Sequence, residues 1–364
     1  MGQIPACMLQ IGRDCAGNVG AGKCGKVFIM LSAVLLFAVG LVLLIKGGDW
    51  FVDGATGIAH RFHMPDLLIG ATVVSIGTTL PEVMVSATSA VSGHGEIAYG
   101  NAIGSIICNT ALIAAITIAV RPQSVNQKTL RTPVLFFFIA AIFYSAIAYI
   151  GGSFNRMEGV IFLLIFAVYM VVTVRQMTGP QGPSDALPGE AACASESEGS
   201  EDGDGAVEMT LVKEIGLLVV GAVLIAVGAD LLVDNGTIIA TGLGVPESVI
   251  ALTIVALGTS LPELVTAITS LAKGHGSLSL GNVIGANLFN LVLVNGVSVT
   301  LSPFDVPVSK TLLGMNSSLL VDIPLMLFVM AFLTIPALVR GRLSRVQGIV
   351  LLCIYAGFCV YQFL

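Results

Sequence analysis

Gly77-Thr78-Thr79-Leu80-Pro81-Glu82 recurs as Gly258-Thr259-Ser260-Leu261-Pro262-Glu263, at an offset of 181 residues. The two hexapeptides lie inside longer copies, Pro65 to Asn109 and Pro246 to Asn290, which align without a gap and are identical at 19 of 45 positions. Each copy carries a Glu within apolar sequence and ends on an Asn. A carboxylate in hydrocarbon is costly and normally marks an ion or substrate path. Two related ones therefore point to a single site assembled from both halves of the chain.

The surrounding composition explains why those acids are in hydrocarbon at all. The chain has 364 residues, 55% hydrophobic and only 10% charged, with a mean hydropathy of +0.96. That is too few charges for a soluble protein of this size. The expected fold is an all-α polytopic membrane protein. Its apolar runs are long enough to cross a bilayer, which takes about 20 helical residues each. Ten spans are expected near 28–46, 67–92, 98–119, 132–150, 156–175, 211–233, 247–271, 278–300, 317–338 and 346–363. Five spans per half is an odd number, so the second half enters the membrane from the opposite side and the repeats are inverted. Residues 1–27 read as an N-terminal tail, 28–176 as the first half, 177–210 as a linker and 211–364 as the second half.

Charge sets the expected orientation. With the N-terminus outside, eleven Lys and Arg fall on inside connections and five, Arg13, Lys23, Lys26, Arg156 and Lys310, fall outside. The linker is rich in Gly, Pro, Ser and acid and is expected to be a disordered cytoplasmic loop. It accounts for the formal charge of −6, so the acidity gives no argument for a nucleic-acid partner. The seven cysteines lack the close paired spacing of a zinc or redox motif. His94 and His275 recur in Gly-His-Gly at span ends, where a turn or surface role is expected. Nothing suggests a catalytic centre or a resident cofactor. The expected location is a prokaryotic plasma membrane, and the oligomeric state is left open, a monomer being compatible.

The chemistry of the repeated motif follows from its residue types. Each Pro removes a backbone donor, clashes with a preceding carbonyl and disfavours helix at the residue before it, so both helices are expected to break there. A break at membrane depth frees carbonyls around Ser75 to Thr79 and Ala256 to Ser260, and such groups persist only where they face a polar cavity. The hydroxyls of Thr78, Thr79, Thr259 and Ser260 add hard neutral oxygens, and Glu82 and Glu263 add charge. Hard oxygen with negative charge suits Na⁺ and Ca²⁺. In the following span, Ser105 and Asn109 are four residues apart and share a helix face. Asn109 and Asn290 are read as ligands, with interhelical hydrogen bonds as the alternative. Glycines at 100, 104, 281 and 285 have the spacing that lets helices approach closely. Asp49 and Asp53, with their repeat mates Asp230 and Asp234, read as span-end acids that cap, meet solvent or line an ion entrance.

Both repeats resemble those of the cation/calcium antiporter superfamily, specifically the prokaryotic sodium/calcium exchangers. Gly-Thr-Thr-Leu-Pro-Glu with Gly-Asn-Ala-Ile-Gly-Ser-Ile-Ile-Cys-Asn carries the likeness in the first copy. Gly-Thr-Ser-Leu-Pro-Glu with Gly-Asn-Val-Ile-Gly-Ala-Asn-Leu-Phe-Asn carries it in the second. The resemblance implies four adjacent sites near the midplane that take three Na⁺ or one Ca²⁺ in alternation. It assigns Glu82 and Glu263 as the calcium carboxylates, with Thr79, Ser260, Ser105, Asn109 and Asn290 as side-chain ligands. Ser75, Thr78, Ala256 and Thr259 would supply backbone oxygens. Family members commonly have Ser where this chain has Ala286, so one hydroxyl of a sodium site is missing. Asn290, where some members have Asp, resembles potassium-independent exchangers.

Two ionised glutamates neutralise one Ca²⁺ or two Na⁺, so a third Na⁺ would leave a surplus positive charge and exchange would carry current. An empty site would hold two uncompensated carboxylates in low dielectric, which disfavours its crossing unless protons bind. A cation/proton antiporter of the same fold is the nearest alternative, although proton-coupled relatives typically have Asn where this chain has Thr78 and Thr259. A cation channel is the more distant one, since broken helices in inverted halves are more typical of carriers.

Overall fold

The structure is a computed structural model and describes residues 21–62, 64–178, 211–242, 256–308, 311–312 and 315–363. The 177–210 linker lies outside the described residues except for its first two, and so do residues 246–255, the first ten of the second repeat copy. Among the described residues nine helices are long and apolar enough to span a membrane: Ile29–Arg61, Asp66–Val91, Gly95–Val120, Gln127–Ile150, Arg156–Gln176, Leu211–Gly236, Gly276–Leu301, Ser318–Arg340 and Arg345–Gln362. The described part of the remaining span is Ala256–Thr259 followed by Leu261–Ala272. We number these ten in chain order. Their outward faces carry Leu, Val, Ile and Phe, as expected of side chains that meet lipid. The fold is thus an all-α polytopic membrane protein of two inverted five-helix halves.

The inversion is visible in details that no composition argument supplies. Gln123–Ser124, after the third helix, pairs with Arg342–Leu343, after the ninth; Ser153–Phe154, after the fourth, pairs with Phe304–Asp305, after the eighth. Val125 N–H donates to Gly341 O at 2.8 Å, and its repeat mate Val306 N–H donates to Gly152 O at 2.9 Å. Gly93 and Gly274, also 181 residues apart, both turn the chain at positive φ, 84° and 88°, a conformation L side chains rarely adopt.

The first and sixth helices form a pair through small residues related by the same offset. A Cβ added to Gly40 would lie 2.9 Å from Gly228 O, and one added to Gly47 would lie 3.0 Å from Gly221 O. Because Gly221 and Gly228 are the mates of Gly40 and Gly47, the crossing is itself two-fold. Bare backbone on backbone is how helices pack where lipid removes the hydrophobic drive to associate. At one end Arg61 clamps Glu214 with Nε to Oε2 at 3.0 Å and Nη2 to Oε1 at 3.1 Å.

The helices depart from expectation in three ways. The first runs Ala21–Arg61, so it starts within the segment read as tail and ends well past residue 46. Its continuation buries Phe51, Val52, Ala55 and Ala59 against the second and sixth helices. Asp49 and Asp53 therefore lie inside a helix rather than at its end. Lys273 reaches them, with Nζ 2.7 Å from Asp53 Oδ1 and 2.9 Å from Asp49 O. The second helix does not break at Pro81, which sits within continuous helix Ser75–Val91. The seventh does break, at Ser260, whose φ of −91° and ψ of 6° separate Ala256–Thr259 from Leu261–Ala272. The irregularity of the second helix lies upstream, in a π-helical turn at Gly70–Val74. Three further π-helical turns occupy Asn109–Ala114, Asn290–Val294 and Ser318–Asp322.

The glycine spacing holds for the second copy. A Cβ on Gly281 would collide with Leu67 O, and one on Gly285 would meet Ala71 Cα at 2.6 Å, so the bare glycines let the eighth helix lie against the second. The corresponding partner of Gly100 and Gly104 would be residues 247–255, outside the described residues.

Candidate ion-binding site

The eighth helix is pinned to the second by Asn282. Ser75 Oγ donates to Gly70 O at 2.7 Å and lies 3.0 Å from Asn282 O, while Thr78 Oγ1 donates to Asn282 Oδ1 at 3.2 Å. Asn282 Nδ2 donates to Thr266 Oγ1 at 2.9 Å, and Thr266 Oγ1 lies 3.0 Å from Glu263 O. Its mate Asn101 donates to Ser86 Oγ at 2.8 Å and Glu82 O at 3.3 Å. These two asparagines hold the backbone on which each glutamate is mounted. Their role carries no signal in the sequence beyond the identity of Asn101 and Asn282 in the two copies.

Within that frame ten buried polar atoms on six side chains have no hydrogen-bond partner. They are both carboxylate oxygens of Glu82 and of Glu263, both amide heavy atoms of Asn109 and of Asn290, and the hydroxyls of Thr79 and Ser260. The six residues are three repeat pairs, and every one is 2% exposed or less. Leaving a buried polar atom unsatisfied costs about 1–3 kcal/mol, more for a charge, so such a cluster is not retained for packing. Asn109 and Asn290 make no side-chain hydrogen bond to another helix among the described residues. Glu82 and Glu263 come within electrostatic reach of each other, and neither belongs to an ion pair among the described residues.

The remaining expected ligands are placed around this cluster. Ser105 is 5% exposed on the third helix, one turn before Asn109. Ser75 and Thr78 are buried, and their side chains are occupied by Asn282, which leaves backbone oxygen as what they can offer. Pro81 has no N–H to give Gly77 O, so one carbonyl is released beside Thr78 even though the helix continues. Ala256 and Thr259 form the short helical turn that ends at the Ser260 break. Asn109 and Asn290 each open a π-helical turn, which widens the helix where the amide projects. Cys108, next to Asn109, lies near Ser260 and Glu263 and accepts from the Tyr355 hydroxyl at 3.7 Å. A crevice lined by Phe51, Gly77, Thr78, Pro81, Ala222 and Pro262 runs between the first and sixth helices and the two Leu-Pro-Glu elements.

Two carboxylates with hydroxyl, amide and carbonyl oxygens form a hard donor set with two formal negative charges. That composition accommodates alkali and alkaline-earth cations and offers nothing to soft metals. Among the described residues there is no group of three or more His, Cys, Asp and Glu of the kind that holds a resident metal. His94 is exposed, as a turn residue should be, whereas His275 Nδ1 contacts Asp66 Oδ2 at 3.0 Å.

The same architecture recurs in known proteins. A family model described as sodium/calcium exchanger protein matches residues 32–175 and 213–364. A sodium/calcium exchanger of Methanosarcina acetivorans, MaX1, is 29% identical over 90% of this chain and 98% of its own length. An uncharacterized membrane protein of Methanocaldococcus jannaschii is 33% identical over 90% of this chain and 97% of that protein. The solved structure of the sodium-calcium exchanger NCX_Mj, soaked with Na⁺ and Sr²⁺, superposes with a TM-score of 0.70 at 31% identity, covering 90% of this chain and 97% of the other. The family match covers both halves, each of which contributes one glutamate, one asparagine and one hydroxyl to the same buried cluster, and on that ground the chain belongs to the sodium/calcium exchanger family.

Proposed function

We propose that the protein is a secondary active antiporter that exchanges Na⁺ for Ca²⁺ across the membrane, with both ions bound at the Glu82–Glu263 site. The observation that carries this reading is the set of ten partnerless buried polar atoms, all on residues related in pairs by the inverted repeat. The name of the similar exchanger MaX1 and the Na⁺ and Sr²⁺ used with NCX_Mj support the same choice of ions.

Charge then sets the behaviour. Both carboxylates belong to the site in either loaded state, so Ca²⁺ balances them and three Na⁺ exceed them by one unit. Exchange of three for one moves one net positive charge in the direction of sodium. An empty site would expose two uncompensated charges to low dielectric during the crossing, so the carrier crosses loaded and exchange is coupled rather than leaky. Alternating access comes from displacement of the paired first and sixth helices against the eight-helix remainder. Their mutual packing through Gly40, Gly47, Gly221 and Gly228 and the Arg61–Glu214 clamp support movement as one unit, and the crevice between that pair and Pro81 and Pro262 supports an ion route.

Membrane current during Ca²⁺ exchange tests this reading against its proton-coupled alternative. Purified protein in proteoliposomes should give an inward-positive current when outside Na⁺ exchanges for inside Ca²⁺, at fixed pH. Calcium movement driven by a pH gradient with sodium absent would transfer the protein to the cation/proton branch. Calcium flux with no counter-ion would make it a channel.

A further inference from the structure

Three of the four π-helical turns among the described residues sit at the exchange site: Gly70–Val74 contacts Ser75 and Asn282, and the other two begin on Asn109 and Asn290. The fourth, Ser318–Asp322, is remote from it and ends on a carboxylate. It has no counterpart in the first half, where the fourth helix runs as unbroken α-helix over Gln127–Ile150. Asp322 is half-buried, only four residues inside the apolar span Ser318–Arg340, and no Lys, Arg or His pairs with it among the described residues. An acid at that depth, with no basic partner among the described residues, is matched by a cation.

The surroundings of Asp322 supply oxygen. Ile323 N–H bonds to Ser318 O, five residues back, so Leu319 O is released and takes the Tyr149 hydroxyl. Ser318 Oγ lies 3.0 Å from Pro307 O and within hydrogen-bonding reach of Asp322 and Tyr99, which places its oxygen among them. Tyr144 is 0% exposed and its hydroxyl has no hydrogen-bond partner, while Tyr99 is 2% exposed with its hydroxyl beside Ser318. Both lie within electrostatic reach of Asp322, and their rings are 6.3 Å apart. Gln362 Nε2 approaches Asp322 Oδ1 at 3.5 Å, and rotation of the amide would present its oxygen instead. Tyr99 starts the third helix, Tyr144 and Gln362 end the fourth and tenth, and Asp322 starts the ninth, so chain direction brings all four to one membrane face. Along the third helix Tyr99 is ten residues from Asn109, about 15 Å.

We propose that Asp322, Ser318, Tyr99, Tyr144 and Gln362 form a second cation site, separate from the exchange site, that binds one Na⁺. One carboxylate among neutral oxygens matches a single positive charge, whereas the exchange site with two carboxylates matches Ca²⁺. The site does not depend on the exchange reading, since it is built from other helices.

Equilibrium binding of ²²Na⁺ to the purified full chain, with and without saturating Ca²⁺, tests it. Calcium clears Na⁺ from the two-carboxylate site, so one Na⁺ per protein should remain, and Asp322→Asn should remove that one while the calcium-displaceable fraction is retained. Equal residual binding in wild type and Asp322→Asn overturns the proposal, as does the absence of any residual sodium. If Asp322→Asn loses both fractions it has not folded, and Tyr144→Phe then decides. Deleting a hydroxyl that has no partner spares the fold. As a lost ligand it should raise the half-saturating sodium concentration of the residual site about fivefold, the scale of one neutral contact worth roughly 1 kcal/mol. Unchanged residual affinity in Tyr144→Phe overturns the proposal. Should the exchange reading fail, calcium would displace nothing, yet wild type and Asp322→Asn would still differ by one sodium.

Discussion

Gly285→Ala tests whether the site depends on the close approach of the second and eighth helices. The added Cβ would meet Ala71 Cα at 2.6 Å and Ala71 O at 2.8 Å, and both are backbone atoms that cannot swing aside. Ordinary carbon contact begins near 3.4 Å, so the helices must separate by about 0.8 Å. That displacement would stretch the 3.0 Å contact between Ser75 Oγ and Asn282 O and the 3.2 Å bond from Thr78 Oγ1 to Asn282 Oδ1 beyond hydrogen-bond range. Overpacking costs about 1–3 kcal/mol and each buried hydrogen bond lost costs about 1 kcal/mol, so the variant should lose about 3–5 kcal/mol. The released Ser75 and Thr78 backbone also sits beside Glu82. Thermal unfolding followed by size-exclusion chromatography should therefore show a large loss of stability, and calcium affinity should fall with it. Gly357→Ala, on the exposed face of the tenth helix with nothing within 4 Å, is the control and should be neutral. A Gly285→Ala protein with wild-type stability and calcium affinity would refute the reasoning.

The hydroxyl pair gives the opposite signature. Thr79→Ala and Ser260→Ala remove hydroxyls that have no partner within the protein, so stability without ions should be unchanged or slightly higher, while the half-saturating ion concentration rises. A stability loss above about 1 kcal/mol in the ion-free protein would mean those hydroxyls have a structural partner. Lys273→Gln removes the 2.7 Å pair with Asp53 from one membrane face alone, because the repeat mate of Lys273 is Ser92. The partners are partly exposed, so the expected change is roughly two- to fivefold in apparent calcium affinity, larger on one side of sided vesicles than the other. Equal shifts on both sides would contradict an effect confined to the face that carries this pair. Glu214→Gln turns the two-pronged clamp on Arg61 into a neutral contact, and with Glu214 4% exposed the expected loss is about 1–3 kcal/mol in thermal stability.

Much of this protein is legible in its sequence because membrane burial makes polar residues conspicuous. Glu82, Glu263, Asn109 and Asn290 stand out against apolar surroundings, and the constant offset pairs them without any structure. The offset also contains the Gly40–Gly228 and Gly47–Gly221 crossing, but pairing those residues in space needs the tertiary arrangement. Pro81 and Pro262 show the limit of local rules. The same Leu-Pro-Glu breaks one helix and is absorbed in the other, because a helix can lose one donor and stay continuous when its neighbours hold it. The π-helical turns had no local signal: Asn109-Thr110-Ala111-Leu112-Ile113-Ala114 reads as ordinary helix, and the widened turn is fixed by packing. The Arg61–Glu214 clamp joins residues 153 apart and follows from the first helix running past its expected end.

Uptake of ⁴⁵Ca²⁺ into proteoliposomes loaded with Na⁺, by wild type, Glu82→Gln and Glu263→Gln, tests the central claim most directly. Uptake that requires internal Na⁺ and is lost in both variants is the predicted result. Full uptake in either variant would contradict a site shared by the two halves.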